Sequence, residues 1–150
     1  NWQNFLDIDR LAKDQAQDYK ETEAMLKQVH HIVNSYEQKI QQRDAELIDK
    51  AQQLDIKNRY RQQLSQTLKD SQQNSNAHVI FEIEKQTLAK ADALFAVLKK
   101  HKWQKKNKTF MFYEDQAVQE FNALYKEILH LNKQMEHIAS ANQKAVENKL

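Results

Sequence analysis

No glycine, no proline and no cysteine occurs anywhere in this chain of 150 residues. At average usage, roughly 7% Gly and roughly 5% Pro, about eighteen such residues would be expected. Their absence speaks against tight turns, β-bulges and left-handed helix caps, which lean on Gly or Pro. It also removes the Gly-rich phosphate loops of nucleotide-binding folds and the Gly-x-Ser-x-Gly nucleophile elbow. Without Cys there are no disulfides and no thiolate metal sites. No apolar run approaches the roughly 18 residues needed to span a membrane.

What remains is polar and helix-forming. Charged residues make up 29% of the chain and hydrophobic residues 40%. Gln alone occurs about twenty times. Such a composition predicts an all-α fold: one domain, 1–150, built as an elongated antiparallel helical bundle with a narrow, coiled-coil-like core.

The first run carries a heptad. Phe5, Ala12, Tyr19, Leu26, Val33, Ile40, Leu47 and Leu54 are spaced by seven, the condition for one stripe on a slightly underwound helix. Polar residues interrupt the seam at Gln15, Thr22, Arg43, Lys50, Lys57 and Arg61. The pattern predicts a long first helix over 3–72. A break at Asn34-Ser35, where capping boxes can be read, would give four helices instead. Unbroken, that helix would be about 105 Å long and would need a second copy to cover it. Broken, it closes as a monomeric four-helix bundle.

The polar stretch 71–76 predicts a loop. Helices are then expected over 77–101 and 114–148. The first, with Ile80, Phe81, Leu88, Leu94, Phe95 and Leu98, is the most apolar and should be central. The second carries Phe121, Leu124, Ile128, Leu131, Met135 and Ile138, three and four apart, with Asn142 continuing the seam. Between them, 102–113 is expected as an extended or hairpin-like excursion. Thr109–Tyr113 favours strand, and Lys105–Lys108 can turn, with Asn107 able to take a left-handed conformation.

Few constellations carry chemistry. Glu127 and His130 form the Glu-x-x-His element that di-iron bundles use twice, but no second copy follows and the heptad turns His130 towards solvent. His78 and Glu82 share a face, yet one helix supplies too few ligands. No catalytic residue, cofactor or metal is expected. Charge is more telling. Net charge is +2, yet residues 99–108 hold six Lys and no acid. Lys99, Lys100, Lys102, Lys105, Lys106 and Lys108, with Trp103, are therefore the candidate contact for an anionic surface. The competing reading is a solvated helix end with Trp103 capping the core. Nucleic acid is not expected, because the rest of the chain is net acidic.

Phe112, Gln116, Glu120, Phe121, Asn122 and Leu124 read F-x-x-x-Q-x-x-x-E-F-N-x-L. This segment resembles one near the carboxyl end of a family of uncharacterised lipoproteins from Gram-negative bacteria. There an extended Asn-Gly stretch precedes the pattern; here Asn107-Lys108 stands in that place, and the chain departs further in lacking Gly and Pro. The resemblance implies a periplasmic or outer-envelope protein, lipid-anchored in its precursor, which agrees with a start at Asn1 rather than Met. The expected function is that of a non-enzymatic interaction protein. Its seam would meet itself or another helical protein, and its basic tip an anionic membrane surface. The alternatives are a metal-binding bundle using Glu127 and His130, or a cytoplasmic coiled-coil adaptor.

Overall fold

The computed structural model describes residues 2–149, with side chains described through residue 141. It is an elongated helical bundle closed at one end by a small hairpin. In chain order the elements are α1 (Trp2–Phe5), α2 (Ile8–Gln15), α3 (Lys20–Gln52), α4 (Asn58–Asn74), α5 (Asn76–Lys100), β1 (Trp103–Lys106), β2 (Thr109–Phe112) and α6 (Asp115–Lys149).

The single helix expected over 3–72 is in fact four, and its breaks are not at Asn34-Ser35. Those two residues lie inside α3, where the stripe keeps its phase. The chain breaks instead at 6–7, at 16–19 and at 53–57. At the second of these Asp18 and Tyr19 take left-handed conformations, with φ of 62° and 60°, which no helix can continue through. The new helix is capped from a distance. Asp14 accepts from the backbone N–H of Glu21 at 3.0 Å and of Thr22 at 2.7 Å, and from the Thr22 hydroxyl at 2.6 Å. Two of the orphan donors in the first turn of α3 are thereby satisfied. Arg10 braces the junction, donating to Thr22 Oγ1 at 2.9 Å and to the Phe5 carbonyl at 2.8 Å.

The heptad nonetheless marks burial across that break. Phe5, Tyr19 and Leu26 are buried, and Val33 packs against the same core. A stripe in the sequence therefore records which side chains go inside, and does not require one continuous helix. Further along it fails: Leu47 and Leu54 are exposed.

The expected loop 71–76 shrinks to Ser75. Its backbone alone leaves the helix, at φ −66° and ψ 146°. Its hydroxyl accepts from the His78 N–H at 3.2 Å and donates to the Gln72 carbonyl at 3.0 Å. The single polar residue both ends α4 and caps α5.

The helix α5 is central, as its broad apolar surface predicts. On one side it lies antiparallel to α3, shown by Tyr19 meeting Leu98, His30 meeting Asp92 at 2.7 Å and Glu37 meeting Lys85 at 3.4 Å. On the other it packs along α6, bridged by Lys90 and Glu127 at 2.9 Å. Leu11, Leu94 and Ile128 are wholly excluded from solvent at 0% exposure; full burial of such a side chain contributes about 1.5–3 kcal/mol. The α6 seam enters the bundle as expected, with Phe121, Ile128 and Leu131 buried. The side chain of Asn142 lies outside the described residues.

Beyond the reach of α5, the last part of α3 pairs with α4 as a two-helix arm. Ala51 and Ser65 are its buried residues, whereas Leu47, Leu54, Ile56 and Tyr60 stay exposed. The main core sits at the other end, where α1, α2, α5, α6 and the hairpin converge.

Candidate functional site

The excursion after α5 is a true antiparallel hairpin. Trp103 pairs with Phe112 and Lys105 with Phe110. Its two-residue turn, Asn107-Lys108, has φ of 50° and 61°. Positive φ at both central positions is the type I′ geometry that matches strand twist. Asn tolerates this well, whereas Lys108 occupies a place that usually falls to Gly.

One face of the hairpin is aromatic and turned to the core. Residues paired across the strands share a face, so Trp103, Phe112 and Phe110 lie together. The Trp103 and Phe110 rings are 5.0 Å apart, and Phe121 of α6 sits 4.6 Å from Phe110 and 5.2 Å from Phe112. The segment Phe112–Leu124 is thus the joint between hairpin and α6.

Trp103 is the anchor. It is 3% exposed, and its indole N–H donates to the Tyr19 hydroxyl at 2.8 Å. That hydroxyl donates in turn to the Leu98 carbonyl at 3.1 Å, in the last turn of α5, where carbonyls lack helical donors. Gln15 Nε2 donates to the Trp103 carbonyl at 3.1 Å. Burial pushes the Tyr19 phenol above its ordinary pKa, with the Asp14 charge adding to the rise against the lowering effect of the Trp103 hydrogen bond. The hydroxyl therefore stays a neutral relay.

This placement corrects one expected site residue. Trp103 does not offer its ring to a surface; it caps the core, the other reading its position allowed. Two of the six lysines are also engaged. Lys99 holds Glu23 at 2.7 Å and lies over the Phe95 ring. Lys105 reaches back to Asp9 on α2. The hydrogen bond and charge of Lys105 hold the Asp9 carboxyl below its ordinary pKa, and the charges of Lys108 and Lys13 act in the same direction. Lys100, Lys102, Lys106 and Lys108 are exposed and form no ion pair among the described residues. Carboxylates are present at this end too, with Glu114 3.7 Å from His101 Nδ1.

Several members of this assembly escape sequence reading. Asp9 is met along α2 by Lys13, four residues on, and across the fold by Lys105 of the hairpin, a partner far off in sequence. Tyr19 belongs to the heptad stripe, but its hydroxyl partners lie 79 and 84 residues away. No local spacing announces such pairs.

The metal candidates do not assemble. Glu127 is engaged by Lys90 at 2.9 Å, and His130 Nε2 lies 3.2 Å from Gln134 Nε2. Among the described residues no group of three or more His, Cys, Asp or Glu is placed to hold a metal ion. No helix among them is long and apolar enough to cross a membrane. Comparison with protein-family models, with curated proteins and with solved structures finds no match for the chain.

Proposed function

We propose that this chain is a non-enzymatic helical interaction protein whose hairpin end docks on an anionic surface, in the bacterial-envelope setting that the Phe112–Leu124 resemblance implies. The observation that carries this reading is the set of four exposed lysines, Lys100, Lys102, Lys106 and Lys108, without an ion pair among the described residues, on and beside a hairpin pinned by a buried tryptophan. Lysine is a mobile point charge, but the backbone that presents these four is fixed by Trp103 and the Asn107-Lys108 turn. A docking surface of this kind needs little entropy to form, because the ordering is already done by the fold.

Each Lys near an anionic bilayer contributes about 1 kcal/mol. Replacing Lys102 and Lys106 with Gln should therefore cost about 2 kcal/mol, or roughly thirty-fold in partitioning onto vesicles containing anionic lipid. The paired Lys99 and Lys105 should matter less. Co-sedimentation at low salt measures this. Wild-type protein that stays in the supernatant, or a double variant that binds as wild type does, ends the proposal.

A helical partner, or a second copy, would use the groove along α1, α3 and α5. It encloses about 250 Å³ and is lined by Trp2, Met25, Val29, Ile32 and Val33. Ile32 is 56% exposed and Tyr36 47%. Multi-angle light scattering checks self-association: about 36 kDa, twice the 17.9 kDa chain, marks a dimer.

A further inference from the structure

The arm formed by α3 and α4 contains a cavity that the hairpin reading leaves unused. It encloses about 440 Å³ between the end of α3 and the face of α4, and is lined by Gln52, Asn58, Arg61, Gln62, Ser65, Gln66 and Lys69. In the sequence, Arg61 stands as an interruption of the apolar seam. Among the described residues it has no acidic partner.

The lining is polar and cationic. Arg61 and Lys69 contribute two cations, and neither forms an ion pair among the described residues. Arg61 Nε and Ser65 Oγ are both sealed from solvent and have no hydrogen-bond partner among the described residues. Ser65 as a whole is only 6% exposed. Guanidinium and ammonium groups only donate, while hydroxyl and amide side chains both donate and accept. No carboxylate lines the cavity; the nearest on the same helix, Asp70, accepts from Gln66 Nε2 at 3.0 Å. A buried polar atom left unpaired costs about 1–3 kcal/mol, so a ligand oxygen at Arg61 Nε or Ser65 Oγ would supply what the described residues do not.

The helix adds to this. Asn58 opens α4, and the preceding Lys57 gives it no side-chain cap. The amino end of this 17-residue helix thus lies at the Asn58 edge of the cavity, with the Tyr60 and Arg61 N–H groups bonded to the Lys57 carbonyl. Arg61, Ser65 and Lys69 succeed one another at spacings of four, which puts them on one face of α4. The guanidinium can hold two oxygens of one anion side by side, with Lys69 as a second charge.

We propose that this cavity binds an oxoanion of the phosphate class, held by Arg61 and Lys69, with Ser65 between them supplying a further donor. The two sources of that chemistry are the free ion and a phosphate monoester, whose remainder the cavity has volume to admit.

The test uses the full chain, inorganic phosphate and glycerol 3-phosphate, with backbone amide NMR as the readout. Shifts should concentrate at 52 and 58–69, and the weaker arm of a paired titration identifies the poorer source. Arg61→Gln should weaken binding at least about tenfold, and Ser65→Ala should weaken it less while keeping the fold intact by circular dichroism. The hairpin variant K102Q/K106Q should bind phosphate as wild type does, which keeps this site separate from the vesicle result. Shifts confined to 99–108, no saturable shift with either anion, or an R61Q protein that binds normally overturns the proposal.

Discussion

Tyr19→Phe removes one oxygen atom from the centre of the clamp that holds the hairpin. The phenyl ring remains, so its edge-to-face contact with Phe95, with centroids 5.4 Å apart, is preserved. The backbone hydrogen bond from Tyr19 N to the Asp14 carbonyl at 2.9 Å is also unaffected. What is lost is the acceptor for the Trp103 indole N–H and the donor to the Leu98 carbonyl. Both groups are buried, and each unsatisfied buried group costs about 1–3 kcal/mol. The carbonyl has a second lone pair and sits at a helix end, so its share falls at the low end of that range. The expected loss is about 3 kcal/mol. In a domain of this size that corresponds to a fall in Tm of roughly 6–12 °C. Urea unfolding followed by far-UV circular dichroism measures it without depending on tryptophan emission. A double-mutant cycle with Trp103→Phe should return a coupling of about 1 kcal/mol. Amide hydrogen exchange over 103–112 should speed up, because the hairpin loses its fixed point. A Tyr19→Phe protein within about 0.5 kcal/mol of wild type, with unchanged exchange in the hairpin, would falsify the clamp.

Two further predictions concern the turn and the junction. Lys108→Gly places the preferred residue at a φ of 61° and should stabilise the protein by about 0.5–1 kcal/mol despite the extra freedom gained by the unfolded chain; a lower Tm would contradict the type I′ assignment. At Asp14, burial raises the carboxyl pKa, but hydrogen bonds from the Thr22 side chain and from the Thr22 and Glu21 backbone, with the Arg10 charge, outweigh it and leave the pKa below 3.8. A depressed folded-state pKa contributes stability that is present above the unfolded value and is lost as pH falls through the folded one. Asp14→Asn should therefore be less stable than wild type at pH 7, and the gap should narrow as both are titrated below pH 4. Urea midpoints at pH 7 and pH 3 decide this; a gap that stays constant removes Asp14 as the source.

The helical class was legible because it rests on local facts. A chain without Gly or Pro, with apolar residues three and four apart, has few other ways to satisfy its backbone. The central place of α5 was legible for the same reason: an apolar face that wide must be covered on more than one side. The hairpin was legible in outline from Asn107 and the strand-favouring run after it. The breaks were harder. Asp18 and Tyr19 leave the helix with no Gly to announce it, and the cap that makes this tolerable comes from Asp14, seven residues before the Glu21 it satisfies.

The lysine cluster was visible as composition, but composition could not sort it. Pairing in space divides Lys99 and Lys105 from Lys100, Lys102, Lys106 and Lys108. It also takes Trp103 out of the exposed group, since its partners lie across the fold in Tyr19 and Leu98. The Arg61 cavity was invisible for the same reason: a polar interruption of a heptad looks like an imperfect seam until its neighbours are known. Helical character, the apolar faces and the places where charge accumulates were readable along the chain, because they follow from each residue and its near neighbours. Where the helices break, which cations stay without an ion pair and which polar atoms lack a partner among the described residues came from the fold alone. Those depend on distances between residues far apart in the chain, and a one-dimensional pattern carries no such distances.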